Sequence, residues 1–308
     1  VVAALLVFGR ALWVSQGPLT MLGSIGGHER FSGFFDPFRG GMVSTSLSFF
    51  LVFGVGVLGQ PQMLHKFYML RDPRQLRWLP LTLGASQALC LLIWVGIGLA
   101  VPALVAQGRM AWLANPDDAA PRFLVEFCPP LLSGLVVAAV LAAIMSTADS
   151  FLNIGSGVLV RDLPRLMGHA ATPGLGMARW ATVGVAAAAA LLAIGFGDLV
   201  ALLGTFAFGT LGAALAPVFV LGLSWTRVSA AAASASIATG LIVSLGLEGV
   251  RRWSPSGTLT EIGLPAGAVP SAVALLASFT VLILVSWVTG GAHRAEIAPD
   301  VLTIMEDR

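Results

Sequence analysis

Charge is what this chain has least of: 10% of its 308 residues are Asp, Glu, Lys or Arg, against roughly 25% in soluble domains. With 57% hydrophobic residues and a mean hydropathy of +0.90, that shortage excludes a water-soluble globule and points to a lipid bilayer. The net charge of +2 gives no electrostatic footing for nucleic acid or any other polyanion. Cysteine is equally sparse. Cys90 and Cys128 form neither a metal-ligand spacing nor a disulfide framework. The histidines (His28, His65, His169 and His293) all fall in or beside polar connections, so no His cluster lies within an apolar run. A nucleophile–His pairing and a Gly-rich phosphate loop are also missing, and the chain reads as no enzyme and as needing no conventional cofactor. No signal peptide is visible. The first residue is Val1, already inside an apolar run, and the expectation is a chain whose N-terminal part is missing.

Long apolar runs are what the chain does have. They occupy about 1–22, 43–63, 79–105, 131–160, 178–196, 199–224, 230–248 and 267–289, each long enough for a spanning helix. Backbone groups in hydrocarbon must be satisfied within their own segment, so the expected fold class is all-α integral membrane. A β-barrel needs short alternating segments, which are absent. The whole of 1–308 is expected to be one transmembrane domain. Ten of the seventeen Lys and Arg residues fall on one side of this topology, led by Lys66, Arg71, Arg74 and Arg77. The positive-inside bias then puts the 65–78 loop and the C-terminal tail in the cytoplasm of a multi-pass cell-membrane protein.

The run 131–160, LLSGLVVAAVLAAIMSTADSFLNIGSGVLV, organises the rest. Ser146, Asp149, Ser150 and Asn153 recur at i, i+3, i+4 and i+7 and share one helical face. A carboxylate near the middle of a spanning helix costs about 2.5–3.5 kcal/mol on insertion scales, so it should face protein, water or an ion rather than lipid. Hydroxyls beside a carboxylate are hard oxygen ligands, suited to a small cation such as sodium. The competing reading is that the hydroxyls bond back to their own helix or to a neighbour.

The run 43–63 is interrupted by Gly54, Gly56, Gly59 and Pro61 within FGVGVLGQPQ. Such residues loosen the helical ladder and expose carbonyls, and in transporters broken helices frame substrate sites. Close backbone packing accounts for the glycines equally well. The outer connections 23–42 and 106–130 are rich in Gly, Pro and Asp and suit either short interfacial helices or passive loops.

Three stretches together resemble the sodium:solute symporter family: GQPQMLHKF at 59–67, AAIMSTADSFLNIGSGVLVRDL at 142–163, and FGTLGAALAPVFVLGLSWTRVSAAAASASIATG at 208–240. The resemblance implies a leucine-transporter-like core of two inverted five-helix repeats. On that map 1–22 is the end of the core's fifth helix, and the five spans from 43 to 224 are the sixth to tenth. The last two spans are peripheral, and the family's first four core helices have no counterpart. Ser146 and Thr147 fall where the family places hydroxyl ligands of its shared sodium site, with the carbonyl of Ala143 one turn earlier. Asp149 and Ser150 match positions that bind a second sodium in some members. Asp149 is therefore a ligand, a proton-titrating group or a structural partner to another helix. In proline carriers the broken helix bears a Trp and a Tyr near substrate. Here the aligned residues are Phe53 and Val57, with Pro61 retained, which argues against proline. Gln87, with Ser86, Thr205 and Thr210, supplies further polar groups at plausible depth for substrate.

The implied function is a secondary active transporter in which sodium influx drives uptake of a small polar organic solute. Its partners are the sodium ion, the solute, the lipid bilayer and the missing N-terminal helices of the same protein. A proton-coupled carrier of the same fold and a transporter-like membrane sensor domain are the alternatives.

Overall fold

A computed structural model describes residues 1–67, 73–168, 174–196, 200–253 and 263–289. Every regular element among the described residues is helical. Seven helices are long and apolar enough to cross a membrane, and a bent pair at the start makes an eighth candidate. The run expected as one span over 1–22 is that pair: α1 (Val2–Val14) and α2 (Pro18–Gly26), bent by 64°. Gln16 and Gly17 between them take φ of 63° and 93°, a left-handed backbone that stops the first helix. Pro18 then occupies the first turn of the second, where its missing N–H costs nothing.

The chain divides into two compact units, one made of Val1–Asp36 with Leu70–Leu199 and the other of Pro37–Met69 with Val200–Arg308. In the first, α1 and α2 pack on α3 (Leu79–Ala106), α4 (Ala119–Phe127) packs on α3 and on α5 (Pro130–Gly157), and α1 also meets α5. Val7, Ala11, Ile25, Leu104, Phe123 and Val136 form this core. The connection 106–130 thus carries a helix, α4, anchored by the fully buried Phe123. Arginines close the helix ends: Arg10 Nε donates to the carbonyl of Phe127 at 2.6 Å, and the Arg109 guanidinium donates to the carbonyl of Val14. Both acceptors belong to helix termini whose carbonyls lack helical partners. Burial pushes the Cys128 thiol above its ordinary value, against a smaller opposing pull from Arg10. Beyond α5 the span continues through a π-turn at Val158–Asp162 into α6 (Leu163–Leu166), and α7 (Leu175–Phe196) packs back along α5.

The second unit is built on α8 (Val200–Gly222), α9 (Ala230–Trp253) and α10 (Pro270–Thr289). Along α9 the buried positions are Ala232, Ser236, Gly240, Ser244 and Glu248, every fourth residue. Small side chains at that spacing let backbones approach closely, the main route to helix association in lipid. Hydroxyls join the helices across this contact. Ser236 donates to the carbonyl of Ser278 at 3.1 Å and Ser278 donates to the carbonyl of Ser236 at 2.9 Å. Thr210 and Ser244 share a hydrogen bond of 2.7 Å, Ser229 and Thr289 one of 2.6 Å. α9 runs past the expected end at 248, so Arg251 and Arg252 lie in its last turn and not in a connection. The tail 290–308 and part of the 65–78 loop, on which the orientation rests, lie outside the described residues.

Candidate functional site

The interrupted span, Arg39–Gly59, changes character three times. It begins as a 3₁₀ turn over Arg39–Gly41, becomes an α-helix over Met42–Phe50, widens to a π-turn over Leu51–Val55 and tightens to a 3₁₀ turn over Gly56–Gly59. Gln60 then leaves the helix, with φ −82° and ψ 113°. The cause is Pro61, whose ring disfavours a helical residue before it. Pro61 itself opens a new short helix, Pro61–Phe67.

Glycine in this span serves close packing. A Cβ on Gly59 would fall on the backbone of Ala216, 2.9 Å from its Cα. A Cβ on Gly212 would fall 2.8 Å from Gly56 Cα, whereas a Cβ on Gly56 itself would stand at an ordinary 3.5 Å from Gly212 Cα. The break itself is held by a residue that spacing did not single out. Gln60 is fully buried, and its Nε2 donates to the carbonyl of Phe208 at 2.8 Å. Gln62 Nε2 donates in turn to Gln60 Oε1 at 3.3 Å. Two amides flanking a proline inside an apolar run were the available signal. Replacing Gln60 with Leu keeps the volume but strands the buried Gln62 amide, which loses its acceptor, and removes the donor to the Phe208 carbonyl, at a cost of about 1–3 kcal/mol. The melting temperature of the purified protein should fall by several degrees; an unchanged value would remove Gln60 from the support of the break.

Of the residues proposed for substrate in this span, Phe53 is half-exposed and stacks between Phe49 and Phe208, with ring centroids at 5.8 and 5.5 Å. Val57 and Pro61 are partly buried. Gln87 and Ser86 lie on α3 in the first unit and are exposed.

α5 carries the row of oxygens. Ala143, Ser146, Thr147 and Asp149 are exposed and Ser150 is partly buried, and the helix buries only Val136 and Ser156. Thr147 Oγ1 donates to the carbonyl of Ala143 at 3.1 Å, and Ser150 Oγ donates to the carbonyl of Ser146 at 3.0 Å. The back-bonding expected of such hydroxyls is therefore present. A hydroxyl that gives its hydrogen to the helix keeps its lone pairs, so the Thr147 and Ser150 hydroxyls remain acceptors. The Ala143 carbonyl, one turn before Thr147, accepts both the helical N–H and the hydroxyl of Thr147.

A model of the sodium:solute symporter family matches residues 36–240. The chain is 28% identical over 198 residues to the sodium/pantothenate symporter of Haemophilus influenzae, covering 63% of this chain and 40% of that protein. It is 28% identical over 217 residues to the high-affinity proline transporter PutP of Bacillus subtilis, covering 67% and 44%. To sodium/proline symporter 2 of Staphylococcus saprophyticus it is 30% identical over 217 residues, covering 67% and 41%. The chain thus spans about two fifths of the length of these relatives. No solved structure matches it.

Proposed function

Because the chain belongs to the sodium:solute symporter family, we propose that it forms part of a secondary active transporter in which sodium influx drives uptake of a small polar organic solute across the plasma membrane. The observation that carries this reading is the exposed oxygen row on α5. A carboxylate and hydroxyls on a spanning helix cannot face hydrocarbon without cost, so another element, water or an ion must cover them. In this reading the Ala143 carbonyl and the Ser146 and Thr147 hydroxyls supply one helix's share of a sodium site. Further oxygens come from a second helix, because one face of one helix offers only part of a cation's shell. Asp149 and Ser150 extend the row toward a second cation or a proton. The broken span with Phe53, Val57 and Pro61, together with Gln87, is proposed to contribute to solute binding within a leucine-transporter-like core.

Relatives bearing the names sodium/pantothenate and sodium/proline symporter support sodium as the coupling ion. Coupling then requires reciprocity: sodium raises solute affinity by the factor by which solute raises sodium affinity. Uptake by the full-length protein at fixed membrane potential, with sodium replaced by choline at two pH values, tests this. Loss of uptake in choline at both pH values is expected. Uptake that persists in choline and rises as pH falls would establish proton coupling, the alternative that the carboxylate of Asp149 favours.

A further inference from the structure

At the C-terminal end of α3 the first unit carries an open groove of about 230 Å³ that shares no residue with the oxygen row or with the proposed solute residues. One wall is the α3 face from Ile97 to Val105. The other includes Phe31 and Trp112, whose ring centroids are 6.0 Å apart. Every lining residue is apolar. Eight residues of helical rise make the groove about 12 Å long, close to the roughly 15 Å depth of one leaflet's hydrocarbon. Spread over that length, the volume gives a cross-section of roughly 20 Å², about a quarter of what an α-helix some 10 Å across would need. The groove therefore suits one extended chain and no helix. Two donors stand beside it. The Arg30 guanidinium lies over the Trp112 ring, 5.3 Å from its centroid. Among the described residues Arg30 makes no ion pair and its side chain no hydrogen bond, so the carboxylates nearest the groove in sequence (Glu29, Asp117 and Asp118) are not its partners. The half-exposed Trp112 likewise has no partner for its indole N–H among them. Such an aromatic at the end of a spanning helix sits at headgroup level.

We propose that this groove holds one acyl chain of a glycerophospholipid, whose phosphate oxygens accept from the Arg30 guanidinium and the Trp112 indole N–H. The chain lies along α3 from Val105 toward Ile97, and the charged phosphate meets two donors that the protein leaves open. A diacylglycerol offers the chain without the charge, and inorganic phosphate the charge without the chain, so neither matches both ends. Gly98 is what keeps the groove open, because a Cβ built there meets nothing within 4 Å.

The test titrates the purified, lipid-depleted full-length protein in detergent with phosphatidylglycerol and phosphatidylethanolamine whose acyl chains carry bromine, a contact quencher of indole fluorescence. The quenching that Trp112→Phe removes is the share that reports the groove. That share should saturate with at least one of the two lipids, and brominated diacylglycerol should bind about tenfold or more weakly. Arg30→Gln, at an exposed position, should weaken phospholipid binding by a similar factor and leave diacylglycerol unaffected. Gly98→Leu places a side chain in the groove without meeting backbone. It should abolish the saturable share and leave the melting temperature of the lipid-depleted protein at or above that of the parent. No saturable share with either phospholipid, as expected if another segment of the full-length protein fills the groove, would overturn the assignment. Equal binding of the diacylglycerol, or indifference to Arg30→Gln or to Gly98→Leu, would overturn it as well.

Discussion

Replacing Ser146 and Thr147 together with Ala should raise the sodium concentration for half-maximal uptake by at least about two orders of magnitude. Each substitution removes one oxygen from a dehydrated cation. Hydrogen bonds to charged groups are worth about 1.5–3 kcal/mol, and a comparable loss per oxygen is roughly a tenfold change or more in affinity. The single substitutions should each give about the square root of the double effect if the two oxygens act independently. Thr147→Ser is the informative control, since it keeps the hydroxyl and loses only a methyl group from an exposed position. It should stay near the parent protein. Maximal uptake at saturating sodium should change far less than the half-saturating concentration, because the substitutions weaken an ion site and leave the solute site in place. A double variant with unaltered sodium dependence would remove both residues from the mechanism.

The second large effect is structural and has opposite signs at two glycines of the same helix. A Cβ on Gly240 would press into the carbonyl of Ala213, 2.7 Å from its carbon and 2.9 Å from Ala214 Cα. The obstruction is backbone, which cannot swing aside, so Gly240→Ala must separate α8 from α9. Overpacking of this kind costs about 1–3 kcal/mol, and the displacement also lengthens the Thr210–Ser244 hydrogen bond of 2.7 Å one turn away. A Cβ on Gly246 meets nothing within 4 Å. Gly246→Ala therefore gains up to about 1 kcal/mol of helix propensity. Thermal unfolding of the two purified variants should place Gly240→Ala several degrees below the parent and Gly246→Ala at or above it. Equal melting temperatures would show that the α8–α9 contact is looser than described.

Much of the fold was legible in hydropathy, because lipid forces any long apolar run into a helix whatever its neighbours are. The exception is the first run. Its composition stays apolar from Val1 to Met21, and only the left-handed backbone at Gln16 and Gly17 ahead of Pro18 divides it. Residue types do not reveal a positive φ at Gln16. In the broken span, Pro61 and the glycines announced the interruption, but their division of labour is tertiary. Proline sets the extended Gln60, while Gly59 admits the backbone of α8. Neither the partner of Gln60 nor the Glu248–Arg251 pair could be read from spacing alone. Phe208 lies 148 residues from Gln60, and Arg251 lies beyond the apolar run 230–248, in polar sequence that the helix nonetheless includes. The polar face of α5 was legible because its period is local: one helix carries Ser146, Asp149, Ser150 and Asn153 at i, i+3, i+4 and i+7, whereas Ala143 and Thr147 entered only through the family resemblance.

Equilibrium binding of radioactive sodium to the purified full-length protein, in the absence of any solute, tests the sodium site most directly. Saturable binding that is lost in Ser146→Ala with Thr147→Ala and kept in Thr147→Ser is the predicted result. Saturable binding of undiminished affinity in the double Ala variant would contradict it.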